Sequence, residues 1–372
     1  MRKILLIFGT RPEAVKLCPV IQSLRARPHQ FVTRVCVTAQ HREMLDQVLA
    51  AFGIVPDHDL NLMQAQQSLS QLAARTLAAL EAVIRAEQPD AVVVQGDTTT
   101  TFCGALAAFH QRVPVVHVEA GLRTGDLFEP YPEEMNRVLT SRLASLHLAA
   151  TKAGADNLLR EGIAPAAIAV TGQSGIDAML YISARLERGD LSGRAWPELD
   201  PQRKLLVATA HRRESFGAGI AQICEALRQL AQRPDVQVVF PVHPNPSVAA
   251  PVITCLNGHP NVVLCEPLDY VPFIDLLRRS YFVMTDSGGI QEEAPSLGKP
   301  VLVLRQKTER PEAVAAGTSM LVGADAGRIV SAASRLLDDP SYYTAVARVH
   351  NAYGDGRASQ RIADAIASFH SN

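Results

Sequence analysis

Residues 91–120 run AVVVQGDTTTTFCGALAAFHQRVPVVHVEA. Ala91–Gln95 is a short unbroken apolar run and Gly96-Asp97-Thr98 is turn chemistry. Small and apolar residues suited to a helix follow, and Val115–Val118 is a second apolar run. Strand, turn, helix, strand, with no polar alternation inside the strands, is the pattern of a parallel sheet covered on both faces. The rhythm extends outward in both directions. Ile4–Phe8 and Val32–Thr38 come before it, and Leu205–Thr209, Val236–Pro241, Val262–Cys265, Phe282–Thr285 and Val301–Leu304 come after. The expected fold class is therefore α/β, built from Rossmann-like parallel sheets.

A chain of 372 residues is too long for one ordinary core, so two domains are expected. The halves open alike: KILLIFGTRPE and KLLVATAHRRES each place a strand before a polar turn bearing arginine, which suggests two lobes of one kind. Arg185–Gln202 is charged, carries Gly and Pro, and interrupts the apolar rhythm, yet Asp177–Leu186 still reads as helix. The boundary is accordingly set at Gly172, giving one domain over residues 1–171 with a returning segment 353–372, and a second over 172–352. In that tail Ile362, Ala363, Ile366 and Phe369 fall on one helical face, which needs a surface to dock on.

Composition excludes several classes. With 36 basic and 37 acidic side chains the net charge is −1, which leaves no basic excess for nucleic acid. No apolar run approaches the roughly 20 residues of a bilayer span, so no membrane partner is expected. Ile4–Phe8 is too short for the core of an export signal and reads as a first strand. The six cysteines form no C-x-x-C pair and sit in apolar surroundings. They read as reduced core thiols, and a cytoplasmic location is expected.

Ligands of open parallel sheets bind beyond the carboxyl ends of the strands, so polar residues there carry information. Asp97 follows one strand and Glu119 another, and if those strands are neighbours the two carboxylates share a crevice. The alternative, that Asp97 and Thr98 only cap the next helix, stays open at this point. Gly9-Thr10-Arg11-Pro12-Glu13 ends the first strand and starts a helix, with Arg11 and Lys16 near donors that favour anions. Pro19 is expected to kink or restart that helix. In the second half TDSGGIQEEAPSLGKP reads as a turn at Ser287-Gly288-Gly289 followed by a helix. This suits a pyrophosphate at the free N–H groups, with Glu293 within reach of ribose hydroxyls. His211 and His243 each follow a strand, in no metal-ligand spacing. His211, beside two arginines, suits phosphate contact or acid catalysis. Gly217-Ala-Gly-Ile-Ala-Gln222 imitates a dinucleotide fingerprint but starts too far beyond its strand, so NAD is not expected.

These residues carry a resemblance. FGTRPEAVK, VTAQHREMLDQVL, GDTTTT, HVEAGLRTGD with PEEMNR, HRRES, PVHPNP, TDSGGIQEEAPSLGKPVLVLR and TERPEAV resemble the bacterial, non-hydrolysing UDP-N-acetylglucosamine 2-epimerases, in order from Lys3 to about Ile366. The resemblance implies a GT-B fold, two Rossmann-like domains facing across a cleft with the last helix crossing back onto the first. It implies interconversion of UDP-GlcNAc and UDP-ManNAc without NAD or metal, in a homodimer that feeds surface-polysaccharide synthesis. The route it implies is elimination of UDP to a 2-acetamidoglucal and re-addition, with a proton removed from one face and supplied to the other. Carried over by motif, the catalytic positions are Asp97, Glu119, Glu133 and His211. The substrate-binding positions are Arg11, Lys16, Phe273, Ser287, Gly288, Gly289, Glu293 and Arg310. Glu133, from PEEMNR, comes from the resemblance alone. A second, activating UDP-GlcNAc site would use Gln40 and His41, although the chain has Gln66 where some members have arginine. A hydrolysing relative, a glycosyltransferase and a silent nucleotide-sugar sensor are the alternatives.

Overall fold

The computed structural model describes residues 1–39, 42–64, 67–308, 310–347 and 353–369. Val, Ile and Leu runs form two all-parallel sheets, because every such run can bury both of its faces only between helices. The first sheet contains β1 (Arg2–Phe8), β2 (Phe31–Val37), β3 (His58–Asp59), β4 (Ala91–Gln95), β5 (Val115–Val118), β6 (Leu146–Ala149) and β7 (Ile168–Val170), in the order β3-β2-β1-β4-β5-β6-β7. The second contains β8 (Lys204–Thr209), β9 (Val236–Pro241), β10 (Val262–Cys265), β11 (Phe282–Thr285), β12 (Val301–Val303) and β13 (Ser319–Leu321), in the order β10-β9-β8-β11-β12-β13.

Each sheet grows outward from its first strand, returns, and continues on the other side. The switch points therefore lie between β1 and β4 and between β8 and β11, where a crevice opens at the strand ends. β4 and β5 pair directly, Val92 with Val115 through Gln95 with Val118, which meets the condition for Asp97 and Glu119 to share one crevice. Leu5, Ile7, Val92 and Val94 sit in the core of the first unit, and Leu206, Phe240 and Phe282 in that of the second. Each of these fully buried side chains contributes roughly 1.5–3 kcal/mol.

The two compact units are Met1–Ala178 with the segment returning from Tyr353, and Met179–Ala352. The division falls inside the helix Ser174–Glu187, a few residues beyond Gly172. The returning helix Ala358–Ser368 buries Ala358, Ile362, Ala363 and Ile366 on the first unit. Asp177 fastens its start, accepting from the Ala358 and Ser359 N–H groups (3.1 and 2.7 Å) and the Ser359 hydroxyl (2.6 Å). Arg2 donates to the Ile366 carbonyl at 2.9 Å near its end. Phe369 follows the helix as its cap and is only half-buried.

One expectation is corrected, and four strands join those expected. Pro19 does not restart the first helix, which runs as one element over Arg11–Arg25 with Pro19 buried inside it. The short strands β3, β6, β7 and β13 carry no long apolar run and were not expected. Cys18, Cys36, Cys103 and Cys224 are buried thiols, and none of the six cysteines is in a disulfide. Among the described residues no helix is long and apolar enough to cross a membrane.

Candidate active site

The turn after β1 is built around close approach. A Cβ on Gly9 would collide with the hydroxyl of Thr38 and come within 2.8 Å of that of Thr100, and those two hydroxyls bond to each other at 2.9 Å across the end of β1. The next turn is held by Glu13, which is 1% exposed. Its Oε2 accepts from Gly9 N (3.1 Å), Thr10 N (2.8 Å) and the Thr10 hydroxyl (2.8 Å). Its Oε1 accepts from the hydroxyls of Thr98 (2.8 Å) and Thr101 (3.0 Å), beyond β4. One side chain thus ties the turn bearing Arg11 to the turn bearing Asp97. Arg11 itself is half-buried at the first position of its helix.

Glu119 follows β5 with a φ of +61°, a left-handed conformation that a side chain of this size seldom adopts, and such strain concentrates at functional sites. It is surrounded by donors. Lys16 Nζ lies 2.5 Å from Oε2, the Gln95 amide bonds the same oxygen, and Gln173 Nε2 donates to Oε1 at 2.7 Å. Lys16 thus pairs with a carboxylate of the predicted site instead of standing alone near the helix start.

Asp97 sits beside a different set of groups. Arg137 NH2 is 2.8 Å from Oδ2, and Asn136 donates to the Asp97 carbonyl at 2.9 Å. Burial pushes the Asp97 carboxyl up to about 6, aided by Glu119 and Glu133 and opposed by Arg137 and Lys16. The group therefore changes protonation near neutral pH, as proton-transfer chemistry requires. Glu133 opens the helix Glu133–Leu143, half-buried and close enough to act on Asp97 through its charge. One residue on, Glu134 is buried. It accepts from Thr124 N (3.0 Å) and Gly125 N (3.1 Å) and lies 3.3 Å from Arg137 NH1. His117, kept neutral by burial with a pKa near 4, donates to the Gly96 carbonyl at 2.7 Å and steadies the residue before Asp97.

In the second unit the turn after β11 leads into the helix Gly288–Ser296, with Ser287 at its cap position. Neither Gly288 nor Gly289 has a positive φ, and a Cβ on Gly289 would meet nothing within 4 Å. Packing and backbone strain give no reason for glycine at position 289, where it costs a helix about 1 kcal/mol relative to alanine. Helix N-termini favour anions, and the glycine leaves open space beside this one. Arg310 lies against Gly288, with its Nε donating to Glu292 Oε1 at 2.8 Å. Glu293 is half-buried on the same helix, and Phe273 is half-buried in the first turn of the helix Tyr270–Arg279.

His211 follows β8, across the switch point from Asp286. Its N–H and that of Arg212 donate to Asp286 Oδ2 at 2.8 Å each, and its Nδ1 lies 3.3 Å from Asp286 Oδ1. The His243 ring stacks on it at 5.6 Å. Burial holds the imidazole below its ordinary pKa, against the pull of Asp286 and with the help of Arg212 and His243.

The structure thus joins Lys16 to Glu119, and Arg310 to the Gly288 turn. Arg11, Glu133 and Phe273 make no hydrogen bond to another predicted site residue among those described. Gln40 and His41, the expected activator positions, lie outside the described residues, as does Gln66. Sequence reasoning missed Glu13, Gln95, Glu134, Arg137, Gln173 and Asp286. For Glu13 a signal existed, since T-x-x-E at a helix start is a capping box. For Arg137 the i,i+3 spacing from Glu134 was readable.

Fold and site define an enzyme built from two Rossmann-like α/β units, with carboxylates at one switch point and a glycine-opened helix start at the other. The UDP-N-acetylglucosamine 2-epimerase family model matches residues 22–367. The UDP-N-acetylglucosamine 2-epimerase of Salmonella typhimurium is 52% identical over 372 residues, covering 99% of each chain. The solved UDP-GlcNAc 2-epimerase of Neisseria meningitidis, bound to UDP-GlcNAc, matches with a TM-score of 0.89 at 47% identity, covering 98% of this chain and 99% of that one. That of Methanocaldococcus jannaschii, in complex with UDP-GlcNAc and UDP, matches with a TM-score of 0.76 at 30% identity, covering 98% and 99%. The chain belongs to the UDP-N-acetylglucosamine 2-epimerase family.

Proposed function

We propose that this enzyme interconverts UDP-GlcNAc and UDP-ManNAc by eliminating and re-adding UDP, without hydrolysis. The proton on carbon 2 is removed by a carboxylate as the bond from carbon 1 to the UDP oxygen breaks, leaving a 2-acetamidoglucal. A proton is then delivered to the opposite face of carbon 2, and the UDP oxygen re-adds to carbon 1. Each step is a proton transfer or the departure and return of an anion, so the route asks for no hydride acceptor. The second unit supplies the nucleotide cradle, from Ser287, Gly288, Gly289, Glu293, Arg310 and Phe273, with His211 toward the diphosphate. The first supplies the proton chemistry from Asp97, Glu119 and Glu133, with Arg11 as a further cation for the departing diphosphate.

The observation that carries this reading is the unlike surroundings of two neighbouring carboxylates. Asp97 is pushed up to about 6, while Glu119 is ion-paired with Lys16 and bonded by two glutamine amides. Carboxyl groups set apart by environment are what an acid/base pair needs. A homodimer in the cytoplasm, supplying surface-polysaccharide synthesis and activated by UDP-GlcNAc at Gln40 and His41, completes the proposal.

The test is proton NMR of UDP-GlcNAc incubated with the enzyme in deuterated water, with chelator and without NAD. UDP-ManNAc carrying deuterium at carbon 2 is expected. Free ManNAc with UDP would move the enzyme to the hydrolysing branch, and unchanged substrate would overturn the proposal.

A further inference from the structure

We propose that Asp286 is a positioning residue for His211, holding the ring with Nδ1 protonated so that Nε2 is the atom offered to the departing diphosphate. The inference rests on the reading of His211 given above. Asp286 is 0% exposed, at the end of β11, and grips the chain at the end of β8 through two N–H donors on one oxygen. Its other oxygen, Oδ1, is buried without a hydrogen bond and faces His211 Nδ1 at 3.3 Å. A carboxylate oxygen only accepts, so the ring nitrogen opposite it must carry the proton. The other tautomer would set the Nδ1 lone pair against an Oδ1 that is buried and has no other donor, which is costly.

The arrangement also bears on charge. The groups facing the ring are Asp286 from the turn after β11, Arg212 from the ring's own turn, and His243 from the turn after β9. Arg212 and His243 oppose a second proton on the imidazole, and Asp286 favours it. As negative charge collects on the leaving diphosphate, Nε2 can take a proton from solvent and become a charge-assisted donor, with Asp286 as the counter-charge. Thr285 braces the same turn, bonding Thr209 hydroxyl to hydroxyl at 2.7 Å and accepting from Ser287 N at 3.0 Å. The carboxylate therefore acts on the ring from a position that touches no ligand.

The test is nitrogen NMR of the full chain labelled at histidine, with the His211 signal assigned by its loss in His211→Gln. The wild type is expected to show the Nδ1–H tautomer. In Asp286→Asn the amide oxygen can still accept the two N–H groups while its NH₂ faces the ring. The tautomer should then invert, His211 should titrate at lower pH, and kcat should fall about 10²-fold with KM within about threefold. An Nε2–H tautomer in the wild type overturns the proposal, and that measurement decides even if the variant folds poorly. An unchanged spectrum and kcat in Asp286→Asn also overturn it. Wild-type turnover in His211→Gln would instead overturn the role of His211 itself, a failure told apart by the tautomer signal.

Discussion

Glu13 and Asp286 play the same part from different positions, Glu13 in the helix after β1 and Asp286 at the end of β11, each a buried carboxylate that closes a switch point by accepting backbone N–H groups from the turn after the unit's first strand. Both closures are braced by a threonine pair, Thr38 with Thr100 and Thr209 with Thr285. They differ in completeness. Glu13 spreads five donors over both oxygens, whereas Asp286 uses one oxygen and leaves the other facing an imidazole. A carboxylate saturated by fixed donors is scaffold, because nothing remains for it to bind. One left half used in a dry site is biased toward a partner that gains or loses a proton. The first unit thus keeps Asp97 and Glu119 separate from its clasp, and the second sets clasp and imidazole face to face.

The largest expected effect tests the division of labour between the units. Asp97→Asn and Glu119→Gln should each lower turnover by about 10³-fold or more, while UDP affinity, measured by calorimetry, stays within about threefold. Equal losses in both quantities would break the division. Next comes pH. The raised carboxyl of Asp97 binds its proton more tightly in the folded chain, so wild-type stability falls as pH rises from about 4 through about 6. By pH 7 that loss is roughly 2–3 kcal/mol, and Asp97→Asn should lack it. Urea denaturation of both proteins at pH 4.5 and 7.5 should therefore show the variant gaining relative stability at the higher pH.

Glu13→Gln probes the saturated clasp. It leaves buried donors without a carboxylate and should cost about 2 kcal/mol, read as a lower urea midpoint. A neutral result would mean that the threonine hydroxyls find other partners and that the clasp is not needed. The smallest effect is expected at the glycine facing open space. Gly289→Val should weaken UDP about tenfold, and its cost in stability should stay near the small propensity difference between the two residues. A large loss of stability would mean that the position serves the fold and not the ligand.

Much of the fold was readable because a strand buried on both faces must be apolar throughout. Ala91–Gln95, Val115–Val118 and Phe282–Thr285 have the bounds read from the sequence. The two-residue β3 and the half-exposed edge strands β7 and β13 give no such signal, since an edge needs covering on only part of its surface. Strand-end logic singled out Asp97, Glu119 and His211. It could not find Gln173, which reaches Glu119 from 54 residues away, because that contact depends on where the chain goes after β7. Gln95 reads as the last residue of a core strand, and Asp286 as part of the Ser-Gly-Gly turn that follows it. Supporting residues of this kind are set by strand order, which the linear sequence does not display.

The helix fastened by Asp177 also bears on the order in which the two units fold. The second unit is one continuous stretch of chain, Met179–Ala352. The first unit, although made earlier, waits for Ala358, Ile362, Ala363 and Ile366 to cover its face. Closing that face joins Asp177 to Ala358 across 181 positions, a loop-closure cost that the second unit does not bear, so the first unit should be the later of the two to finish folding.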